Sequence, residues 1–315
     1  MKAPAEPTLE GADTEWVKQV RAANSLAKLR VLTEAESDQE AYFAAKRRWR
    51  EIHEGSLDGV LQPGPLPGVS VPVGNQHFVV HGITHADTDE ERDLLHTVVE
   101  EYLEAGEGVY CEQGLWSMYF REYPDVCESD DYLWALRLCH DNDYETPTAD
   151  QFPEPLTNGF ETIREVREQL REVSFSLIDS GSEVYGDRFA RAIGDIASDL
   201  LMSHEQFGTG ESYRAFELSK AASKDPSKLQ ELQAYYWAAF LPQPLEREWL
   251  RRHDRELECM THARNERIAD YGVYHSSAET VHAIVGAAHL PGVCYYLNQH
   301  NTGERDVNGF EYVDE

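Results

Sequence analysis

The 315-residue chain carries 58 Asp and Glu against 28 Lys and Arg, a formal net charge of -30, and 41% of its residues are hydrophobic. That length and apolar fraction allow one large domain or two small ones with a proper core. The charge excludes a nucleic-acid partner, because no basic patch is available to neutralise phosphates. The acids are dispersed along the chain and only 7 of the basic residues are lysine. This pattern reads as adaptation to a high-salt cytoplasm, as in halophilic archaea, where screening removes the self-repulsion. Cys111, Cys127, Cys139, Cys259 and Cys294 show no C-x-x-C spacing, which argues against a zinc ribbon or a disulfide framework. No leader-like apolar region stands at the N-terminus, and no stretch approaches the roughly 18 apolar residues of a membrane span. A cytoplasmic protein is expected.

In chain order, a short Pro/Gly-containing tail precedes a polar, helix-favouring stretch from Thr14 to Glu54. Trp16, Val20, Leu26 and Leu29 form one apolar stripe, and Tyr42, Phe43, Trp49 and Ile52 a second, so two helices are expected. The Pro- and Gly-rich run 62–68 reads as a linker, dividing a helical extension (1–68) from an α/β domain (69–315). Val69–Val73, a Gly74-Asn75 turn and Gln76–Val80 form a hairpin pattern, with Pro72 confining the first strand to an edge. The strand His77–His81 leads into Gly82-Ile83-Thr84-His85. Thr88 and Glu91 form a capping-box pattern for a helix burying Leu94, Leu95, Val98, Val99, Tyr102 and Leu103. After Gly106-Glu107-Gly108, Val109–Glu112 reads as a strand parallel to the first, a βαβ unit. Residues 115–270 read as a large helical insertion, whose last helix runs from Leu245 to about Tyr271. The chain returns to β at Val281–Val285 and ends in a helix with Pro291 in its first turn. Phe310–Val313 suggests one further strand. The fold class expected is α/β, with a central mixed, largely parallel sheet flanked by helices.

Two junctions stand out, Gly82-Ile83-Thr84-His85 after Phe78-Val79-Val80, and Gly286-Ala287-Ala288-His289 after Ala283-Ile284-Val285. A chain with 21 Gly and 13 His contains about one Gly-x-x-His by chance. A third copy, Gly272–His275, has no strand before it and is treated as noise. Open α/β folds place their chemistry beyond the carboxyl ends of the strands. Glycine there permits unusual dihedrals or a tight approach, and a histidine near a helix N-terminus favours the neutral imidazole. Glu112 joins them as an acid at a strand end. His85, Glu112 and His289 make a known type of open metal site, in which a metal lowers the pKa of bound water and polarises a carbonyl. Without metal, the same trio offers a general acid and base. The ordinary alternatives are structural histidines and a carboxylate at a helix start. His77 and His81 read as structural, and His253, His262, His275, His282 and His300 show no ligand spacing.

The order Gly82-x-x-His85, Glu112, Arg264-Asn265 and Val285-Gly286-Ala287-Ala288-His289-Leu290-Pro291-Gly292 resembles the TraB family. That family includes bacterial pheromone-shutdown and GumN-like proteins and the animal Tiki proteins. The resemblance is densest over 77–115 and 245–300. It implies an α/β fold shared with erythromycin esterase and the haem-binding ChaN proteins, with the paired histidines and the acid as the site. Tiki members are metal-dependent peptidases favouring manganese or cobalt. Three positions depart from the family pattern: threonine is third in the first motif, at Thr84; Ala288 replaces a glycine; and Arg267-Ile268 stands where a methionine is common.

The expectation is a metal-dependent hydrolase of peptide or amide bonds, using manganese, cobalt or zinc. His85 and His289 would be ligands, Glu112 a ligand or general base, and Arg264 an anchor for a substrate carboxylate or developing oxyanion. Asn265 lies about 100° from Arg264 around a helix, so one of the two should face the site. The alternatives are a non-catalytic binder of a peptide signal or haem, and a helical interaction protein.

Overall fold

The computed structural model describes residues 11–53, 61, 64–142, 173–181, 186, 188, 190–194, 197, 208–307, 309–310 and 313. Its centre is a five-stranded sheet in the order β1-β2-β5-β3-β4. The strands are β1 (Val69–Val73), β2 (Gln76–Ile83), β3 (Gly108–Cys111), β4 (Val126–Glu128) and β5 (Thr280–Gly286). β1 and β2 form the antiparallel hairpin, with Gly74 at φ +61 in its turn and Pro72 on the edge strand. The remaining pairings are parallel. The mixed, largely parallel sheet read from the sequence is therefore what forms.

β2 and β3 are parallel, but β5 lies between them, with Gly82 opposite Val285 and Cys111 opposite Ile284. The second Gly-x-x-His junction thus arrives between the first junction and Glu112, and the three strand ends share one edge of the sheet.

Alternation of side chains across β5 builds two cores. Val281, Ala283 and Val285 face a cluster with Phe78, Val80, Ile268, Val293 and Leu297. Ile284 faces the other side, with Ile83, Leu95, Val98, Val99, Val109 and Leu115. Burying each Val, Ile, Leu or Phe of these clusters contributes about 1.5–3 kcal/mol. The first core is roofed by α11 (Arg264–His275) and α12 (Leu290–Thr302). The second is roofed by α4 (Asp89–Glu104), α5 (Gln113–Tyr119), α7 (Tyr213–Lys224) and α8 (Leu229–Ala239). α6 (Asp131–Asp141) follows β4.

The N-terminal stretch forms three helices rather than two: α1 (Ala12–Ala22), α2 (Leu26–Thr33) and α3 (Asp38–His53). They share a third core with Leu241, Leu245, Trp249 and Leu250 of the later chain. A buried polar group fastens the same contact. Lys46 donates to Tyr42 at 2.9 Å and to Glu246 at 3.0 Å, and Tyr42 donates to Glu246 at 2.5 Å. The linker reading of 62–68 also changes. Leu66 is buried and the Pro67 carbonyl accepts from Gln233 at 3.0 Å, so the described part of the run is packed against the sheet.

Inside the segment expected to be helical, β4 is a strand of three residues, too short to show a period. The helix expected over 245–271 is broken. α9 (Gln243–His253) ends where Asp254 caps α10 (Arg255–Glu258), and a π-helical turn at Cys259–Ala263 leads into α11. Phe310 and Val313 lie in irregular backbone, and the other two residues of the expected last strand fall outside the described set. Most of the helical reading over 160–202 falls outside it too. Among the described residues no helix is long and apolar enough to cross a membrane.

Candidate functional site

The two Gly-x-x-His junctions meet. The Ala287 amide donates to the Ile83 carbonyl at 2.9 Å, lacing the ends of β5 and β2 together. Each glycine is required by closeness, since neither Gly82 nor Gly286 has a positive φ. A Cβ on Gly82 would lie 2.8 Å from the Ala287 Cα, and one on Gly286 would lie 2.6 Å from His85 Nε2. Gly292 does the same for Asn265, whose Nδ2 would lie 2.1 Å from an added Cβ. The unusual dihedral belongs instead to His85, at φ +60, with Asp87 at φ 50 close behind.

Histidine tolerates the left-handed region better than most residues, but the conformation has to be held. Glu91, fully buried, holds it. Its carboxylate accepts from the Thr84 amide and Thr84 Oγ1, each at 2.8 Å, from the Ala86 amide at 3.3 Å and from the Tyr119 hydroxyl at 2.9 Å. The capping box is therefore half made. Thr88 Oγ1 accepts from the Glu91 amide at 3.3 Å, but the Glu91 side chain turns to the His85 loop instead of the cap. Threonine at the third position of the motif thus has a partner, its hydroxyl donating to Glu91. His85 lies four residues before α4 begins, so no helix N-terminus acts on it directly; His289 is itself the N-cap of α12.

Both imidazoles face Glu112. His85 Nε2 lies 3.6 Å from Glu112 Oε2, and His289 Nε2 lies 3.8 Å from Oε1. Glu112 is the N-cap residue of α5 but makes no cap bond with its side chain. Its Oε1 accepts from Arg264 Nη2 at 2.6 Å, and its Oε2 accepts from the Gly286 amide at 3.1 Å. Burial pushes this carboxyl up, yet the charges of His289, Arg264 and His85 outweigh burial and hold it well below the ordinary range. Burial likewise pushes the His289 imidazole below its ordinary value, against the opposing pull of Glu112. The His85 side chain is 31% exposed and that of His289 16%, so His85 is the open side of the group.

Arg264 behaves as a strut. Its Nε donates to Asp131 Oδ2 at 2.7 Å, its Nη2 reaches Asp131 and Glu112, and its Nη1 donates to the Met260 carbonyl at 3.4 Å. Nε, Nη1 and Nη2 each have a partner, and the Nη2 contact holds the Glu112 carboxylate in place. Asp131, completely buried and bonded also by Ser129, is the residue the sequence reading missed. Among 58 acids nothing in the sequence marks it. Asn265 takes part as well, its Oδ1 lying 2.7 Å from His289 Nδ1. Both residues of the pair reach the group because the long Arg264 side chain crosses to Glu112 while Asn265 points straight at α12. The third Gly-x-x-His, Gly272–His275, lies within α11 and contributes nothing to this group.

His81 and His282 form a separate buried pair behind the site. His81 Nε2 lies 2.9 Å from His282 Nδ1, and His81 Nδ1 lies 3.1 Å from the Pro67 carbonyl. Tyr102 stacks on His282 at 3.6 Å between ring centroids, and Glu107 closes the row.

Among the described residues no group of three or more His, Cys, Asp or Glu side chains is drawn together as a metal cage. What the arrangement offers is two imidazole nitrogens converging on one anchored carboxylate, at the carboxyl edge of a parallel sheet. No family model, curated protein or solved structure matches the chain.

Proposed function

We propose that this chain is a metal-dependent hydrolase of the TraB type, acting on peptide or amide bonds at His85, His289 and Glu112. The observation that carries the reading is the convergence of His85 Nε2 and His289 Nε2 on opposite oxygens of a single buried carboxylate. Atoms bound to one transition metal at about 2.0–2.2 Å stand roughly 3–3.5 Å apart. The separations of 3.6 and 3.8 Å exceed that by a few tenths of an ångström, so the three side chains would have to close in to share a manganese, cobalt or zinc ion. His85 and His289 would hold the ion through Nε2, with Glu112 as the adjoining anion. Such an ion supplies a Lewis acid and acidifies bound water.

The chain's own residues supply the rest. Arg264, itself fixed by Asp131, keeps Glu112 ionised and oriented. A carboxyl held far below the ordinary range is a weak proton acceptor near neutrality, which favours Glu112 as ligand and counter-charge over Glu112 as general base. The Asn265 carboxamide stands 2.7 Å from His289 Nδ1, so the way it is turned sets which ring nitrogen of His289 keeps its lone pair. Glu91 presents His85 from the exposed side, where a substrate can approach. The other reading, a binder of haem or a peptide signal, leaves the convergence of both imidazoles on Glu112 without a task.

The test is a mixed peptide library incubated with the protein and manganese, cobalt or zinc, read by mass spectrometry. Metal-dependent cleavage products are expected from the native chain and are absent with His289→Ala or His85→Ala. Cleavage that persists in both folded variants, or none with any of the three metals, contradicts the proposal.

A further inference from the structure

The polar chain behind His289 continues past Asn265. Asn265 Nδ2 lies 3.5 Å from Gln243 Oε1, the same Oε1 lies 3.1 Å from His262 Nδ1, and His262 Nε2 lies 3.3 Å from the Gly208 carbonyl. Gln243, His262 and Asn265 are all buried. The chain joins α9, the π-helical turn, α11 and α12 in one line that ends at the site.

Hydrogen counting shows that this line has a direction. The Gly208 carbonyl can only accept. Burial pushes His262 down to about 3, so near neutrality the ring carries a single N–H. That hydrogen can serve Gly208 or Gln243, not both. If it serves Gly208, His262 Nδ1 becomes an acceptor and Gln243 must turn its NH2 toward it. The second hydrogen of that NH2 then meets the Asn265 oxygen, and the Asn265 NH2 meets His289 Nδ1. The ring hydrogen of His289 is left on Nε2, facing the Glu112 carboxylate. Carboxamide oxygen and nitrogen occupy the same shape, so both settings fit the same heavy-atom positions. In the reverse setting His289 gives its Nδ1 hydrogen to Asn265 and bares a Nε2 lone pair toward Glu112. His262 Nε2 and the Gly208 oxygen then oppose each other, two buried acceptors without a hydrogen between them.

We propose that Gln243 and His262 are positioning residues that set the tautomer of His289 through Asn265, by a buried carboxamide relay with two polarities. In the metal-free chain the relay closes on Gly208 and His289 offers Nε2–H to Glu112. Only the other polarity, with the Gly208 contact released, leaves His289 Nε2 open to a cation. The inference rests on His289 belonging to the site, and deepens the function proposed for it. Loading the site then requires both carboxamides to turn, which couples His289 to the backbone at Gly208.

The relay is tested in metal-free, 15N-labelled full-length protein at neutral pH. Long-range 1H–15N correlations show which ring nitrogen of His289 carries hydrogen, with His289→Ala identifying the signals. The native chain is expected to show Nε2–H. In Gln243→Glu the new side chain only accepts from Asn265 and His262, so the hydrogen moves to Nδ1. In His262→Leu the cause of the bias is gone, and the signals move to an average of both tautomers. A native chain already carrying Nδ1–H, or a folded Q243E or H262L with unchanged His289 signals, overturns the relay. Should the buried carboxylate keep Q243E from folding, H262L decides alone. No metal enters this experiment, so failure to bind cobalt would sink the hydrolase reading and leave the relay standing.

Discussion

Replacing Arg264 with methionine is expected to destabilise the protein by about 3–5 kcal/mol, the usual consequence of removing one partner from a buried ion pair. The magnitude follows from what stays behind. Glu112 and Asp131 are 5% and 0% exposed, and both lie within 2.6 Å of the same guanidinium. Without it two buried carboxylates face each other, and one must take a proton or the α6–α11 contact must open. Asp131→Asn on the R264M background removes one of the two stranded charges and is expected to recover part of the loss. Urea denaturation measures both. A loss below about 1 kcal/mol, the range of exposed pairs, would mean that the guanidinium does not carry the site.

The second large effect is acid sensitivity. Burial pushes His81 and His262 down to about 3 and His282 to about 4. All three are neutral in the folded chain, whereas in the unfolded chain they take up protons below about 6.5. Unfolding therefore gains protons as the pH falls, so stability is complete above about pH 6.5 and is lost progressively on acidification toward 4. Each histidine contributes a slope of about 1.4 kcal/mol per pH unit, so three together remove roughly 4 kcal/mol per unit within that window. Against an ordinary total of about 5–15 kcal/mol, unfolding near pH 5 is expected. Asp270 and Glu112, whose carboxyls are held below the ordinary range, add losses only at lower pH. Denaturant midpoints at pH 7.5, 6.5 and 5.5 check the slope, which His282→Gln should reduce by about a third. A midpoint flat from pH 7.5 to 5.5 would show that these rings are not buried and neutral.

Much of this arrangement is legible in the residues themselves. Short apolar runs ending in glycine marked β2 and β5, and the histidines beyond them do meet. The crossover helix placed Glu112 at the same edge. Illegible was anything set by tertiary pairing. Nothing local says that β5 inserts between β2 and β3, and three residues of β4 are too few for a period. Glu91 sits where a capping box puts an acid, and only the fold shows it turned toward Thr84 and Ala86. Gly82 and Gly286 read as allowing either unusual dihedrals or a tight approach, and the need is the second, space for Ala287 and His85; Gly292 likewise leaves space for Asn265. Asp131, Gln243 and His262 carry no local mark, since each is defined by a partner far away in the chain.

His85 and His289 are proposed to share one metal-dependent site. The most direct test is metal content by mass spectrometry after reconstitution with manganese, cobalt and zinc in high salt. The native chain is measured beside His85→Ala and His289→Ala, with helical content followed by circular dichroism. About one transition metal per chain is expected, lost in both variants while the helices persist. No bound metal in the native chain, or metal retained in either folded variant, would contradict it.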